Sequence, residues 1–296
     1  MEKYVSIDIG GTDIKYGVIS GEGEILSRAA VKTEAYQGGP AILGKVEKIA
    51  GQFCQEGGVC GICISTAGVV DTCQGKIIHA APLIPGYTGT EYKKKLESRF
   101  QTPCEVENDV NCAGLAEYHC GAAKGSRVAL MLTVGTGIGG SIVIDGEIFR
   151  GSSGSACEVG YMAMQGGEFQ ALGAASVLVR KVAAWKGEPE AQWDGRRIFE
   201  AAKEGDMLCI RAIDEMADVL GQGISNICYV LDPEVVVLGG GIMAQRTFLK
   251  GRIEAAVARY LVPGVASRMR IAFAAHGNDA GMLGAYYHFR QCQHKR

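Results

Sequence analysis

Three glycine loops, each closing an apolar run, constrain this chain more than any other feature. Gly10-Gly11-Thr12 follows YVSIDI, Gly135-Thr136-Gly137 with Gly139-Gly140 follows VALMLTV, and Gly239-Gly240-Gly241 follows EVVVL. Glycine loops let backbone N–H groups converge on an anion with no Cβ in the way. The first two loops share one plan. An apolar run reaches a Gly/Thr tip and returns as a second alternating run, IKYGVI or SIVIDGEIF. Each predicts a β-hairpin, and the repetition predicts two lobes that open with the same device. Glycine makes up 43 of the 296 residues, about twice the usual share. The glycines lack a period of three, which excludes a collagen-like chain.

Between the loops, strands alternate with helices. Helical spacing is predicted over 40–56, 91–100, 206–230, 246–260 and 279–290. Strands are predicted over 4–9, 58–66, 104–109, 128–134 and 234–243, with RIAFAAH as the last. AGVVDTCQGKII predicts loops and a short hairpin, and Asn108 or Asp109 is placed to cap the helix that follows CEVEND. The class is therefore α/β. A chain of 296 residues suggests two domains at about 150 residues each. The expected division is a smaller N-terminal lobe over 1–116 and a larger C-terminal lobe over 117–284. The last helix, 285–296, is expected to pack back on the first lobe.

Two glycine patterns are decoys. Gly135-x-Gly137-x-x-Gly140 fits a dinucleotide fingerprint, and Glu158 stands about 20 residues on. That fingerprint needs a helix after the loop, and SIVIDGEIF predicts a strand. Gly39-x-x-x-x-Gly44-Lys45 is nearly a P-loop, but Val46 offers no hydroxyl to Mg²⁺ and no apolar strand precedes it. It reads as helix interior.

Net charge is −2, which argues against the basic footprint of a nucleic-acid partner. No apolar run approaches the roughly 20 residues of a membrane span. Met1-Glu2-Lys3 runs into the first strand without a leader, and the 11 cysteines are odd in number and irregular in spacing. Reduced thiols and a cytoplasmic location are expected. Cys60 and Cys63 form a CxxC inside an apolar strand and read as small core residues. His79, His119, His276, His288 and His294 read as core or surface residues.

In order, the segments DIGGT, ENDVNCA, TVGTGIGG, CEVGYM, PEVVVLGGGI and NDAGMLGAYY resemble the ROK family of sugar kinases and related repressors. That family lies in the actin/hexokinase-like ATPase superfamily. The resemblance runs from residue 4 to residue 287 and implies a two-lobed, ribonuclease-H-like α/β fold with a central cleft. The first strand begins at once, with no DNA-reading module before it, which resembles the kinase branch. The implied reaction transfers the γ-phosphate of ATP to the 6-hydroxyl of a sugar.

The resemblance assigns Asp8 to Mg²⁺, through ATP, and Gly10, Gly11 and Thr12 to the first phosphate loop. Thr133, Gly135, Thr136 and Gly137 match the second phosphate loop, and Gly239, Gly240 and Gly241 the adenosine loop. Asn108 and Asp109 match the pair that holds the sugar, with Asp109 as catalytic base. Glu158 matches a glutamate that binds sugar hydroxyls. Gly68 and Tyr161 join the expected sugar contacts, and Glu168 is the substitute for a second sugar-binding glutamate that nothing matches cleanly. ATP, Mg²⁺, a small-molecule sugar and a homodimer are implied.

The chemistry supports these assignments separately. Phosphoryl transfer is mostly positioning and charge stabilisation. Mg²⁺ takes a few carboxylates together with water and phosphate, which suits Asp8. A general base contributes roughly 10²–10⁴-fold. The helix N-terminus is expected to keep Asp109 ionised.

Several positions depart from the family pattern. Tyr161 stands where most members carry His, and Cys157 replaces the glycine before Glu158. The segment after Tyr161 has no CxCGxxGC, so no zinc is expected. Leu83 replaces an asparagine in APLIPGYTG. The resemblance implies that these changes fall on the part of the pocket that faces C1 and C2 of the sugar in zinc-bearing members. Losing a polar contact there relaxes discrimination at the anomeric oxygen. Tyr161 and Tyr87 are then expected to stack on a second ring. The expected substrate is a β-glucoside such as cellobiose. Glucose or N-acetylmannosamine is the alternative substrate, and a non-catalytic sugar-sensing regulator is the alternative class.

Overall fold

The C-terminal ends of three parallel strands are what the first half of the chain builds. The computed structural model describes residues 2–55, 57–80 and 84–294. It divides into two units, one of 1–120, 146–156 and 278–296, the other of 121–145 and 157–277.

In the first unit, β1 (Lys3–Ile9) turns at Gly10–Thr12 into β2 (Asp13–Ser20), and β3 (Ile25–Lys32) follows. The helix α1 (Gly39–Cys54) crosses over to β4 (Val59–Thr66), and a small antiparallel hairpin follows, β5 (Val69–Asp71) with β6 (Lys76–His79). Then come α2 (Tyr92–Phe100), β7 (Cys104–Asn108) and α3 (Asp109–Cys120). The sheet order is β3-β2-β1-β4-β7, antiparallel through β1–β3 and parallel through β1, β4 and β7. Central β1 is buried on both faces, whereas edge strand β3 is largely exposed. Register sets Asp8 beside Ser65, and Thr66 beside Asn108, so polar residues line the carboxyl ends of the parallel strands. Ligands of open α/β sheets bind at such ends. The near-P-loop glycines lie inside α1, as their spacing predicts.

In the second unit, β8 (Val128–Val134) and β9 (Ile138–Ile144) repeat the hairpin plan around Gly135–Gly137. The strand β9 is the element that removes the dinucleotide reading. After the short β10 (Glu147–Ile148), which lies in the first unit, come β11 (Ala163–Met164) and β12 (Gly167–Glu168). The helices α4 (Phe169–Gly173), α5 (Ala175–Lys186), α6 (Gly195–Lys203) and α7 (Met207–Leu231) follow. The chain then forms β13 (Val235–Gly239), α8 (Arg246–Tyr260), α9 (Pro263–Ala266) and β14 (Arg270–Phe273). Strands β9, β8, β13 and β14 lie side by side in that order, with β13 parallel to β8 and β14. The inner face of α7, with Leu220 and Ile224 fully buried, belongs to the core of this unit.

Two strands are shorter than their apolar runs predict. The run from 234 stops at Gly239 because Gly240 takes φ +98°, and 241–245 form a 3₁₀ turn. RIAFAAH keeps only four residues in β14.

The last helix, α10 (Ala280–His294), returns to the first unit and packs on α3, β1, β4 and β7. Glycines permit this approach. A Cβ at Gly284 would stand 1.8 Å from the Cys112 carbonyl oxygen, and one at Gly61 would stand 2.1 Å from the Phe289 ring.

Candidate functional site

The first unit gathers two carboxylates, a hydroxyl and an ammonium at its strand ends. Asp8 is partly buried and accepts a hydrogen bond from Ser65 Oγ at 2.7 Å. Lys15, its partner across β1 and β2, brings Nζ to 3.9 Å from Asp8 Oδ2 and also donates to Asn278 Oδ1 at 3.3 Å. Burial pushes the Asp8 carboxyl up, and Ser65 and Lys15 oppose it. Gly281 makes room for Asp8, since a Cβ there would sit 2.3 Å from the carboxyl carbon. The hairpin tip is braced from below, with Thr33 Oγ1 donating to Gly10 O at 2.6 Å and Thr33 N–H to Thr12 O at 2.9 Å. Gly11 and Thr12 are exposed, and a Cβ at Gly11 would meet nothing within 4 Å. The chain itself does not require glycine there.

Asn108 is the N-cap of α3. Its Oδ1 accepts from the N–H groups of Val110 at 2.9 Å and Asn111 at 3.1 Å. Its Nδ2 donates to Asp109 Oδ1 and to the Gly68 carbonyl, both at 3.0 Å. Gly68, at φ +96°, thus fixes Asn108 through its backbone. Asp109 Oδ1 also accepts from Val110 N–H at 2.9 Å. Asp109 stays ionised at neutral pH, but the helix N-terminus does not alone set its carboxyl. Burial, then the charge of Asp8, lift its carboxyl from 3.8 to about 6, against the bonds from Val110 and Asn108. A proton acceptor tuned toward neutrality suits general-base work.

The second unit has its own concavity, about 570 Å³, between the two remaining loops. Gly135, Ala175, Asp194, Arg196, Gly241 and Gln245 line it. The loop at its mouth is tight. Gly135 N–H donates to Gly137 O at 2.9 Å, and Ser176 Oγ donates to Thr136 O at 2.7 Å. The N-terminus of α5 stands beside this loop, and helix N-termini favour anions. Gly240 is obligatory, because its Cβ would lie 2.2 Å from the Val134 carbonyl oxygen. Thr133 pairs with Gly239 across β8 and β13, and Gly239 is buried, with Met131 over it.

The family model of the ROK family matches residues 4–292. The chain belongs to the ROK family. An uncharacterized protein of Clostridium perfringens is 48% identical over 291 residues, covering 98% of this chain and 99% of that one. A β-glucoside kinase of Klebsiella pneumoniae is 33% identical over 297 residues, covering 98% and 96%. A ROK family glucokinase from Streptomyces griseus, solved with glucose and AMPPNP, superposes with a TM-score of 0.83 at 28% identity, covering 98% and 99%. The α/β fold with two sheets is that of ROK hexokinase-like structures.

Cys157, Glu158, Tyr161 and Glu168 all lie in the second unit. Glu158 is exposed before a 3₁₀ turn over 159–161 that ends at Tyr161, itself 62% exposed. Cys157 takes the left-handed φ of +67°, a conformation natural to glycine. Its sulfur fills the space over Gly140, where a Cβ would be 2.6 Å away. Glu168 lies exposed on β12, paired with Ala163, and accepts from Gln170 Nε2 at 3.5 Å. Tyr87 is a correction. It is buried, with its hydroxyl bonded to Thr66 Oγ1 and Tyr92 OH, so no sugar ring stacks on it. Leu83 lies outside the described residues.

Sequence reading missed Ser65, Lys15, Gly281 and the lining residues Ala175 and Arg196. Lys15 carried a signal, since it alternates with Asp13 on the return strand of the first hairpin. Among the described residues, Glu105, His288 and Cys292 bring metal-type ligands together. Lys93 Nζ, 2.7 Å from Glu105 Oε2, already neutralises that carboxylate, and the group reads as a buried polar network. No helix among the described residues is long and apolar enough to cross a membrane.

Proposed function

We propose that this chain is an ATP-dependent sugar kinase that transfers the γ-phosphate to the 6-hydroxyl of a hexose or hexoside. The observation that carries the reading is Asp109, capped into the first turn of α3 beside Asn108 and raised to about 6. Asp109 accepts the proton of the attacking hydroxyl as the bond to phosphorus forms. Asn108 and Glu158 hold sugar hydroxyls, with Gly68 fixing Asn108, and Glu168 is the candidate for a further contact. Gly10, Gly11 and Thr12 form one phosphate cradle, and Thr133, Gly135, Thr136 and Gly137 the other. Gly239, Gly240 and Gly241 hold the adenosine in the 570 Å³ concavity.

The residues present fit Mg²⁺. One partly buried carboxylate, Asp8, lies beside an open glycine tip, and Mg²⁺ takes one or two carboxylates plus water and phosphate oxygens. When bound, Mg²⁺ neutralises charge on the transferring phosphoryl group. Lys15 adds a cation on the same side of Asp8.

The substrate class in this proposal is a β-glucoside such as cellobiose. The exposed Tyr161 in place of histidine and the sulfur of Cys157 in place of glycine support it, as does the similarity to a β-glucoside kinase. A cytoplasmic homodimer completes the reading. The test is ADP release from Mg·ATP across glucose, N-acetylmannosamine, fructose, cellobiose, gentiobiose and an aryl β-glucoside. Turnover of the β-glucosides is expected. A preference above about tenfold in kcat/KM for a free monosaccharide discards the pocket argument and keeps the kinase. Sugar binding without any ADP release discards the kinase in favour of a sensor.

A further inference from the structure

Behind the Asn108–Asp109 turn lies a buried carboxylate that the proposed chemistry does not use. Glu107 is 1% exposed on β7. Its two oxygens do different work. Oε1 accepts the backbone N–H of Asn108 at 2.8 Å and Asn111 Nδ2 at 3.0 Å. Both donors belong to the first turn of α3. Oε2 accepts from Arg150, with Nε at 3.1 Å and a terminal nitrogen at 2.5 Å. His288 of α10 stands beside them, its Nδ1 3.8 Å from Glu107 Oε2 and 3.5 Å from the Arg150 guanidinium. Opposing charge holds the Glu107 carboxyl below its usual range even though burial raises it.

Arg150 is itself anchored. Its carbonyl accepts Ala156 N–H at 3.2 Å, closing a turn whose Gly151 and Gly154 take positive φ. The bonds connect in series through Glu107, which accepts from Arg150 on one oxygen and from Asn108 N–H and Asn111 Nδ2 on the other, while Asn108 Nδ2 donates to Asp109. A fork of two N–H donors on one oxygen fixes a carboxylate more tightly than a point charge does. If Arg150 is lost, the carboxylate that aims the turn keeps its bonds to the turn and loses what holds its other end.

We propose that Arg150 is a positioning residue for the base: through Glu107 it fixes the turn that presents Asn108 and Asp109. The idea deepens the kinase reading and rests on it for its kinetic arm only. Arg150 side-chain atoms are 31% exposed, so truncation leaves a partly solvated gap and not a sealed cavity.

The experiment compares wild type with Arg150→Ala and Arg150→Lys, well below each variant's melting temperature. Small misplacement of a catalytic group costs up to about 10²-fold. For Arg150→Ala, kcat is expected to fall about 10–10²-fold with KM for sugar and ATP within about threefold. Added guanidinium, at millimolar concentration, is expected to restore kcat saturably, whereas sodium at equal ionic strength does not. Lysine, which cannot form the fork, is expected to recover only part of the loss. Amide exchange at Asn108, Val110 and Asn111 is expected to accelerate in Arg150→Ala and to slow again with guanidinium. An unchanged kcat, or a loss that guanidinium leaves untouched while exchange at these amides stays at the wild-type rate, overturns the proposal. If the wild type turns over no sugar, the kinase reading fails, and the exchange rates still decide whether Arg150 holds the turn.

Discussion

Replacing Asp109 with asparagine separates what this carboxylate contributes to chemistry from what it costs the fold. Burial and the charge of Asp8 raise its carboxyl from 3.8 to about 6. Each unit is 1.36 kcal/mol of preference for the protonated form, so ionising Asp109 in the folded chain costs about 3 kcal/mol. The sign follows from proton binding. Below about pH 4 both folded and unfolded chains hold the proton, and the group is neutral to stability. Between about pH 4 and 6 the folded chain alone keeps it. Above about pH 6 the folded chain has released it, and the full cost is present. Wild-type stability therefore loses this contribution as pH rises through that window, and the Asp109→Asn variant does not. In urea denaturation the variant is expected to match wild type near pH 4 and to exceed it by about 2–3 kcal/mol at neutral pH. In the same preparation, ADP release is expected to fall roughly 10²–10⁴-fold while sugar binding persists. A variant no more stable than wild type at neutral pH refutes the account of the raised carboxyl. Turnover within about tenfold of wild type refutes Asp109 as the base.

Gly281→Ala is expected to displace Asp8, because the new Cβ would begin 2.3 Å from its carboxyl carbon. The helix gains up to about 1 kcal/mol of propensity, so kcat should fall by about tenfold or more without loss of stability, read by paired turnover and melting curves. Gly240→Ala meets both a φ of +98° and the Val134 carbonyl oxygen at 2.2 Å. It is expected to cost at least about 2 kcal/mol in denaturation and to weaken ATP binding by calorimetry, with sugar affinity unchanged. Tyr161→His is expected to lower the ratio of β-glucoside to glucose kcat/KM by about tenfold in the ADP-release panel. Asp8→Asn removes the charge that raises Asp109, so the Asp109 carboxyl should titrate lower by carbon-detected NMR. An unchanged or higher midpoint would break the coupling of the two groups.

The strands, the hairpin tips and the cap of α3 were legible because their causes are local. Asn108 announces itself as a cap, since a polar residue follows an apolar run and its own side chain closes the turn. The glycine tips were legible for the same reason. Tyr87 was not. An aromatic between glycine and threonine in a Pro-rich loop looks like a platform for a ring, yet its hydroxyl is satisfied by Thr66 and Tyr92. Glu105 and Glu107 alternate along β7 as a solvated face would. They are buried because α10 arrives from the far end of the chain and covers them, and because Lys93 and Arg150 reach them from other segments. The raised carboxyl of Asp109 was likewise out of reach. The dipole of its own helix is local, whereas burial and Asp8 are tertiary and outweigh it.

Asp8 and Asp109 are both raised and both kept from full solvent, and the Lys15 ammonium comes no closer than 3.9 Å to Asp8. Glu107, on β7 two residues before Asp109, is treated in the opposite way. It is buried more completely, yet it is neutralised by Arg150 and His288 and held below its usual range. A fold that can bring a guanidinium to one carboxylate can bring one to its neighbours. The uneven distribution of cations is thus informative: the structural carboxylate is paid in full, and the two that face the glycine tip and the helix cap are left under-compensated. Local conflicts of this kind persist where function requires them. In the proposed kinase, such a pair beside the first glycine tip would attract a divalent cation and a proton, the two charges that phosphoryl transfer has to manage. An arginine beside them would lower the Asp109 carboxyl and, in the proposed kinase, weaken it as a base.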